Sequence, residues 1–222
     1  MALCDISLSV NGNVLRRCLE RMYVFCARDA YRRYDLRGAE LNRQYGDIIH
    51  RGHVECVNTM NARSPASAWE SLMPAKDLLA ELPREKHLLE TTDQEWQELR
   101  PVIWDVIDRI TVVPGIKLAG ATKMLALKRP DLIPACDAQL VASFQVKDSS
   151  DAGKAVALMQ RFRAIAAKAG NLDALAALKE RLAERELFGH PINLSTTRIL
   201  EALCWMETDK GYRELWQLLG WQ

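Results

Sequence analysis

The chain has 222 residues, 49% hydrophobic and 27% charged, with a formal net charge of +1. That length and apolar share suit one domain, or two small lobes around a cleft, and near-neutrality excludes nucleic-acid binding by bulk charge, so any such footprint must be local. No segment reaches the ~20 consecutive apolar residues of a membrane span, and Met1-Ala2-Leu3-Cys4-Asp5 lacks the basic and then apolar run of a secretory leader.

Apolar residues recur at helical steps along nearly the whole chain. Leu15, Leu19, Met22 and Cys26 form one stripe, and Trp96, Leu99, Ile103, Val106 and Ile110 another. Leu158, Phe162 and Ile165 follow, then Leu175, Leu178 and Leu182, then Ile199, Leu203 and Met206. Thr92-Asp93-Gln94-Glu95 is a capping-box pattern, Ser64-Pro65 suits a cap followed by proline, and Asn171 and Ser195 suit later caps. Breaks are expected at Gly170 and at Gly189-His190-Pro191, and Pro101 should kink its helix or divide it. No alternation argues for a sheet. The expectation is an all-α single domain over residues 1–222, with two helical lobes and a cleft.

Six cysteines at irregular spacing, with no CxxC pair, predict reduced thiols and a cytoplasmic chain. His50, His53, His87 and His190 are scattered, so no metal site and no cofactor are expected. Between residues 16 and 51 arginines outnumber acids, with Tyr23, Tyr31, Tyr34 and Tyr45 interleaved. That mixture suits either a phosphate-contacting surface or a solvated helix face whose arginines pair with their acidic neighbours. The six tryptophans, Trp69, Trp96, Trp104, Trp205, Trp216 and Trp221, read more readily as core than as stacking platforms. Of these, Trp104 is kept as a pocket candidate, and Trp221 is expected only to tie down the C-terminus.

Residues 111–140 carry the functional argument. A helix ends near Ile110, a turn holds Pro114-Gly115, and a second helix runs from about Leu118 to Leu127. Leu132-Ile133-Pro134 then leads to Asp137 at the start of another helix. A glycine turn lets backbone approach an anion, and the next helix offers free N–H groups and the positive end of its dipole. Lys117 and Lys123 add charge nearby.

Val113-Pro114-Gly115-Ile116 resembles the hairpin of the helix-hairpin-helix DNA glycosylases, the endonuclease III-like superfamily. In that family an aspartate follows the hairpin glycine by 22 residues, as Asp137 follows Gly115. Lys117 stands where family hairpins usually have a second glycine. Ala119 stands where bifunctional members carry a catalytic lysine, so the resemblance implies the monofunctional branch. Only Cys204 follows Cys136, so the iron–sulfur loop of some members is absent. Asn58 to Pro65 resembles the loop from which these enzymes push a polar side chain into the gap left by an extruded base.

The resemblance implies a monomeric enzyme on double-stranded DNA, off the membrane, that removes a flipped damaged or hypermodified base, glucosylated hydroxymethylcytosine of phage DNA among them. Asp137 is the expected catalytic carboxylate, an N-cap being the plainer role for it. Gly115, Ile116, Lys117, Gly120 and Lys123 are the expected DNA contacts, and Asn61, Arg63 and Trp104 the wedge or pocket candidates. A non-catalytic helix-hairpin-helix DNA-binding protein is the alternative.

Overall fold

The computed structural model describes residues 6–10, 13–72 and 77–208. These are mostly helical, as the apolar periodicity predicts. Cys4, Trp216 and Trp221 lie outside the described residues. Among the described residues, no helix is long and apolar enough to cross a membrane.

Two short strand pairs correct the expectation of no sheet. Strand β1 (Leu8–Val10) pairs antiparallel with β2 (Asn13–Leu15), placing Leu8 opposite Leu15. The sequence Leu-Ser-Val-Asn-Gly-Asn-Val-Leu carries the signal, an Asn-Gly pair between short apolar runs. Leu8, Val10 and Leu15 are buried.

Helix α1 (Cys18–Cys26) follows, burying Cys18, Met22, Phe25 and Cys26. Helix α2 (Asp29–Tyr31) runs through a π-helical stretch, Arg32–Leu36, into α3 (Arg37–Tyr45). Within that stretch Tyr34 is buried and donates its hydroxyl to the Lys123 carbonyl at 2.6 Å. Helix α4 (Arg51–Thr59) is capped by histidines: His50 Nδ1 accepts from Gly52 N, and His53 Nδ1 accepts from His50 N. Short helices α5 (Ala66–Glu70) and α6 (Asp77–Ala80) precede a 3₁₀ turn, Leu88–Glu90.

Helix α7 (Asp93–Thr111) starts on the expected capping box of Thr92 and Glu95. Pro101 sits inside it without dividing it, so the two-helix alternative falls away. Helix α8 (Leu118–Lys128) is buried from Gly120 to Lys128 and packs against α3, α4, α7 and α10 (Asp151–Ala166). An element enclosed on so many sides reads apolar all round, which is why its amphipathic signal is weak. Helix α9 (Ala138–Ser143) lies between α8 and α10 in the chain.

Helix α11 (Asn171–Ala183) begins one residue earlier than expected. Gly170, at φ 79°, takes the cap position, while Asn171 bonds the backbone of Ser9 in both directions and so ties β1 to α11. Strands β3 (Glu186–Leu187) and β4 (His190–Pro191) make the second pair. Helix α12 (Thr196–Met206), capped by Ser195 as expected, packs against α1, α9 and α11. The cysteines at 18, 26, 56, 136 and 204 are all buried, and among the described residues they form no disulfide.

Candidate active site

Asp137 stands at the start of α9, and its Oδ1 accepts the backbone N–H groups of Gln139 and Leu140 at 3.0 and 3.1 Å. That satisfies two of the orphan donors of the helix and fixes the carboxylate. The same side chain lines a cavity of about 690 Å³. Capping and facing the cavity are therefore compatible, because only one of its oxygens accepts the cap bonds.

Helix α8 reaches that cavity through Ala119 and, one helical turn on, Lys123. Lys123 is buried, and its ammonium donates to the Met60 carbonyl at 2.6 Å. It belongs to the cavity wall, whereas the sequence reading placed it with the phosphate contacts. Gly120 is buried too, and a Cβ there would stand 2.3 Å from Ser64 Oγ. Its lack of a side chain serves close packing of α8 on the preceding loop. Ser64 is not a helix cap, since Pro65 takes that position.

The loop after α4 contributes Met60, Asn61 and Arg63 to the lining. Asn58 clasps it, accepting from Ser64 N at 2.9 Å and donating to Ser64 O at 2.8 Å. Within the clasp, Asn61 and Arg63 hold φ of 59° and 53°, a left-handed conformation that costs non-glycine residues energy. Asn61 and Arg63 both line the cavity with Asp137. Trp104 does not: it sits on α7, 40% exposed, outside the cavity lining.

The turn between α7 and α8 differs in detail from a bare anion cradle. Gly115 is exposed at φ 93°, with Pro65 close beside it. Ile116 is buried, and Lys117 is exposed at the cap position of α8 with no side-chain cap bond. Asp151 Oδ2 accepts the Leu118 N–H at 2.9 Å. One donor at the start of α8 is thus already taken by a carboxylate of the chain itself.

Sequence reasoning missed the inner wall. Trp205, half-buried at the end of α12, lines the cavity with Phe25, Tyr31 and Arg28. The Arg28 guanidinium lies 5.1 Å from the Trp205 ring centroid. Glu201, one turn before Trp205, also lines the cavity. Its Oε2 bonds Arg198 Nη1, while Arg198 Nε and Nη2 bond the two oxygens of Asp35 at 2.9 and 3.0 Å. Burial pushes the Glu201 carboxyl up to about 7; Arg198 opposes that rise, and Asp35 and Asp137 add to it.

The arginine-rich segment mostly pairs with its own acids. Arg17 pairs with Glu20, Arg32 and Arg33 with Asp29, Arg37 with Glu40, and Arg51 with Glu55. Tyr31 and Tyr34 are core residues. Among the described residues no group of three or more His, Cys, Asp or Glu is placed to hold a metal ion.

The model of DUF6308, a family of unknown function, matches residues 26–208. No curated protein and no solved structure matches the chain.

Proposed function

The chain belongs to DUF6308, a family of unknown function, and from its site we propose that it is a monofunctional DNA glycosylase. On this reading α7, the Gly115 turn and α8 form a helix-hairpin-helix element on double-stranded DNA. The carrying observation is that Asp137, Ala119 and the strained pair Asn61 and Arg63 line one cavity.

Hydrolysis of an N-glycosidic bond builds positive charge on the sugar as the base leaves. A carboxylate fixed beside that sugar stabilises the charge and can orient or deprotonate the attacking water. Asp137 meets both needs, since its cap bonds hold it in place before any substrate arrives. The base must leave the stack first, and something must fill the gap. Asn61 and Arg63 are suited to that, because the Asn58–Ser64 clasp supports their unusual backbone. Phe25 and Trp205 offer the extruded base aromatic surface. Nucleobases have up to eleven non-hydrogen atoms. At the ~30 Å³ that a water takes in the liquid, even the largest occupies under half of the 690 Å³ cavity. Room remains for a damaged or enlarged base.

The test is incubation with duplexes carrying uracil, hypoxanthine, alkylated purines or glucosylated hydroxymethylcytosine, followed by alkali to cleave abasic sites. Strand scission only after alkali supports the reading. Salt-sensitive binding with no excision across the panel would replace it with a non-catalytic DNA-binding module.

A further inference from the structure

The cavity holds a second carboxyl that the hydrolysis above leaves unused. Glu201 is 3% exposed and lines the same space as Asp137. Its Oε2 is held by Arg198. Arg198 spends its other bonds on Asp35 and is enclosed by the rings of Phe25 and Tyr34. One guanidinium therefore serves two buried carboxyls, with the Asp137 carboxylate across the cavity. The carboxyl with the single bond to Arg198 and the greater burial is the one that takes a proton most readily.

Resting on the glycosylase reading, we propose that Glu201 is the general acid of the site, donating a proton to the extruded base as its glycosidic bond breaks. The bond from C1′ to the base nitrogen breaks, and its electron pair leaves with the base. The Glu201 proton passes to a ring nitrogen or exocyclic oxygen, so the base departs neutral. Water adds to C1′; one of its protons goes to the Asp137 carboxylate, and the sugar keeps the hydroxyl. Glu201, now an anion beside Arg198, is reprotonated as Asp137 releases its proton through solvent. One water is consumed, and one free base and one abasic sugar result. A buried carboxyl that holds its proton up to about neutral pH can serve as the acid while a second carboxyl in the same cavity acts on the water.

The groups facing Glu201 are Arg198 and Cys204 on its own helix, Asp35 and Tyr34 from the π-helical stretch, and Asp137 with Cys136 ahead of α9. The cations lining the cavity are Lys123 from α8, Arg28 after α1 and Arg63 from the loop after α4. Burial holds Cys136, Cys204 and Tyr34 protonated well beyond neutral pH. Of these groups, Glu201 is the one that burial brings to about 7.

Single-turnover excision of the base the parent removes is followed from about pH 5 to about pH 9, for the parent, Glu201→Gln and Asp137→Asn. The parent rate should fall above pH about 7, approaching tenfold per unit. Glu201→Gln should be about a hundredfold slower on the plateau and lose the falling limb, while keeping DNA binding and a native circular dichroism spectrum. A parent rate that holds steady or climbs between neutral and alkaline pH overturns the proposal whether or not the variant folds. So does a variant with the parental rate and profile. A parent that excises nothing removes the glycosylase reading and this one together, whereas an active parent with a flat profile removes this one alone.

Discussion

Lys123 Nζ donates to the Met60 carbonyl at 2.6 Å, joining the central helix α8 to the loop that presents Asn61 and Arg63. A buried ammonium bonded to backbone holds a loop in place, whereas an exposed lysine is free to meet a phosphate. Lys117 is the exposed one. Lys117→Ala should lower the salt dependence of DNA binding by about one counterion, a slope change near 0.9. Lys123→Ala should leave the slope unchanged and lower the melting temperature, the carbonyl losing a charged partner worth about 1.5–3 kcal/mol. Binding measured across salt concentrations separates the two, and an equal slope loss in both would return Lys123 to the phosphate contacts.

Gly120 and Ser64 should show strong coupling. A Cβ at Gly120 would meet Ser64 Oγ at 2.3 Å, and that Oγ is buried with no hydrogen-bond partner among the described residues. Gly120→Ala alone should cost about 1–3 kcal/mol by overpacking. Ser64→Ala alone should be neutral or slightly stabilising, since it removes an unsatisfied buried hydroxyl. In the double variant the next atoms to the new methyl are Ile116 Cγ2 at 3.3 Å and Ser64 Cβ at 3.6 Å. Most of the lost stability should return. Chemical denaturation of the four proteins measures the coupling, and strict additivity would contradict the geometry.

An abasic site without strand cleavage is the expected product, since Ala119 offers no amine. Borohydride should trap no covalent adduct with DNA. The amine on the cavity wall is Lys123, so if an adduct forms, its loss in Lys123→Met would identify the nucleophile and end the monofunctional reading.

Glu201 also carries a prediction about stability. Its folded-state carboxyl is raised from 4.5 to about 7, so the folded state binds the extra proton between those values. The stabilisation this gives is full below pH 4.5 and is lost as pH rises through about 7. Glu201→Gln removes the titration. Relative to the parent, the variant should gain stability between pH 5 and pH 8, by up to about 3 kcal/mol. Melting temperatures that stay in parallel across that range would refute the shift.

Periodicity makes most of the helices legible, because each buries one face at helical spacing. The turn at Gly115 and the 22-residue step to Asp137 are legible for a different reason: both are local patterns. The inner wall is not local. Glu201 and Trp205 look like ordinary members of an apolar helix, and only tertiary packing brings them to Asp137 and Phe25. Likewise Lys123 and Trp104 look like a surface lysine and a core-or-pocket tryptophan, and their burial is the reverse of what residue type suggests. The π-helical turn that sends Asp35 toward Arg198 has no signature in composition or spacing.

Asp137→Asn is the most direct test of the proposed chemistry. Asparagine caps a helix nearly as well as aspartate, and its side-chain oxygen can keep the bonds to Gln139 and Leu140. Folding should therefore change little. The negative charge facing the sugar is lost, and with it the capacity to take a proton from water. Removing one such electrostatic element typically costs about a hundred- to a thousandfold in rate. DNA affinity should stay level or rise slightly, because a negative charge near phosphates is gone. The expected protein melts like the parent, binds duplex and leaves the base attached. Parental excision by Asp137→Asn would reduce the residue to a helix cap and move the catalytic group elsewhere in the cavity. Should the variant melt early, Asp137→Glu, which retains the charge on a longer arm, distinguishes lost capping from lost catalysis: partial activity in a destabilised protein would show that the charge is what the reaction needs.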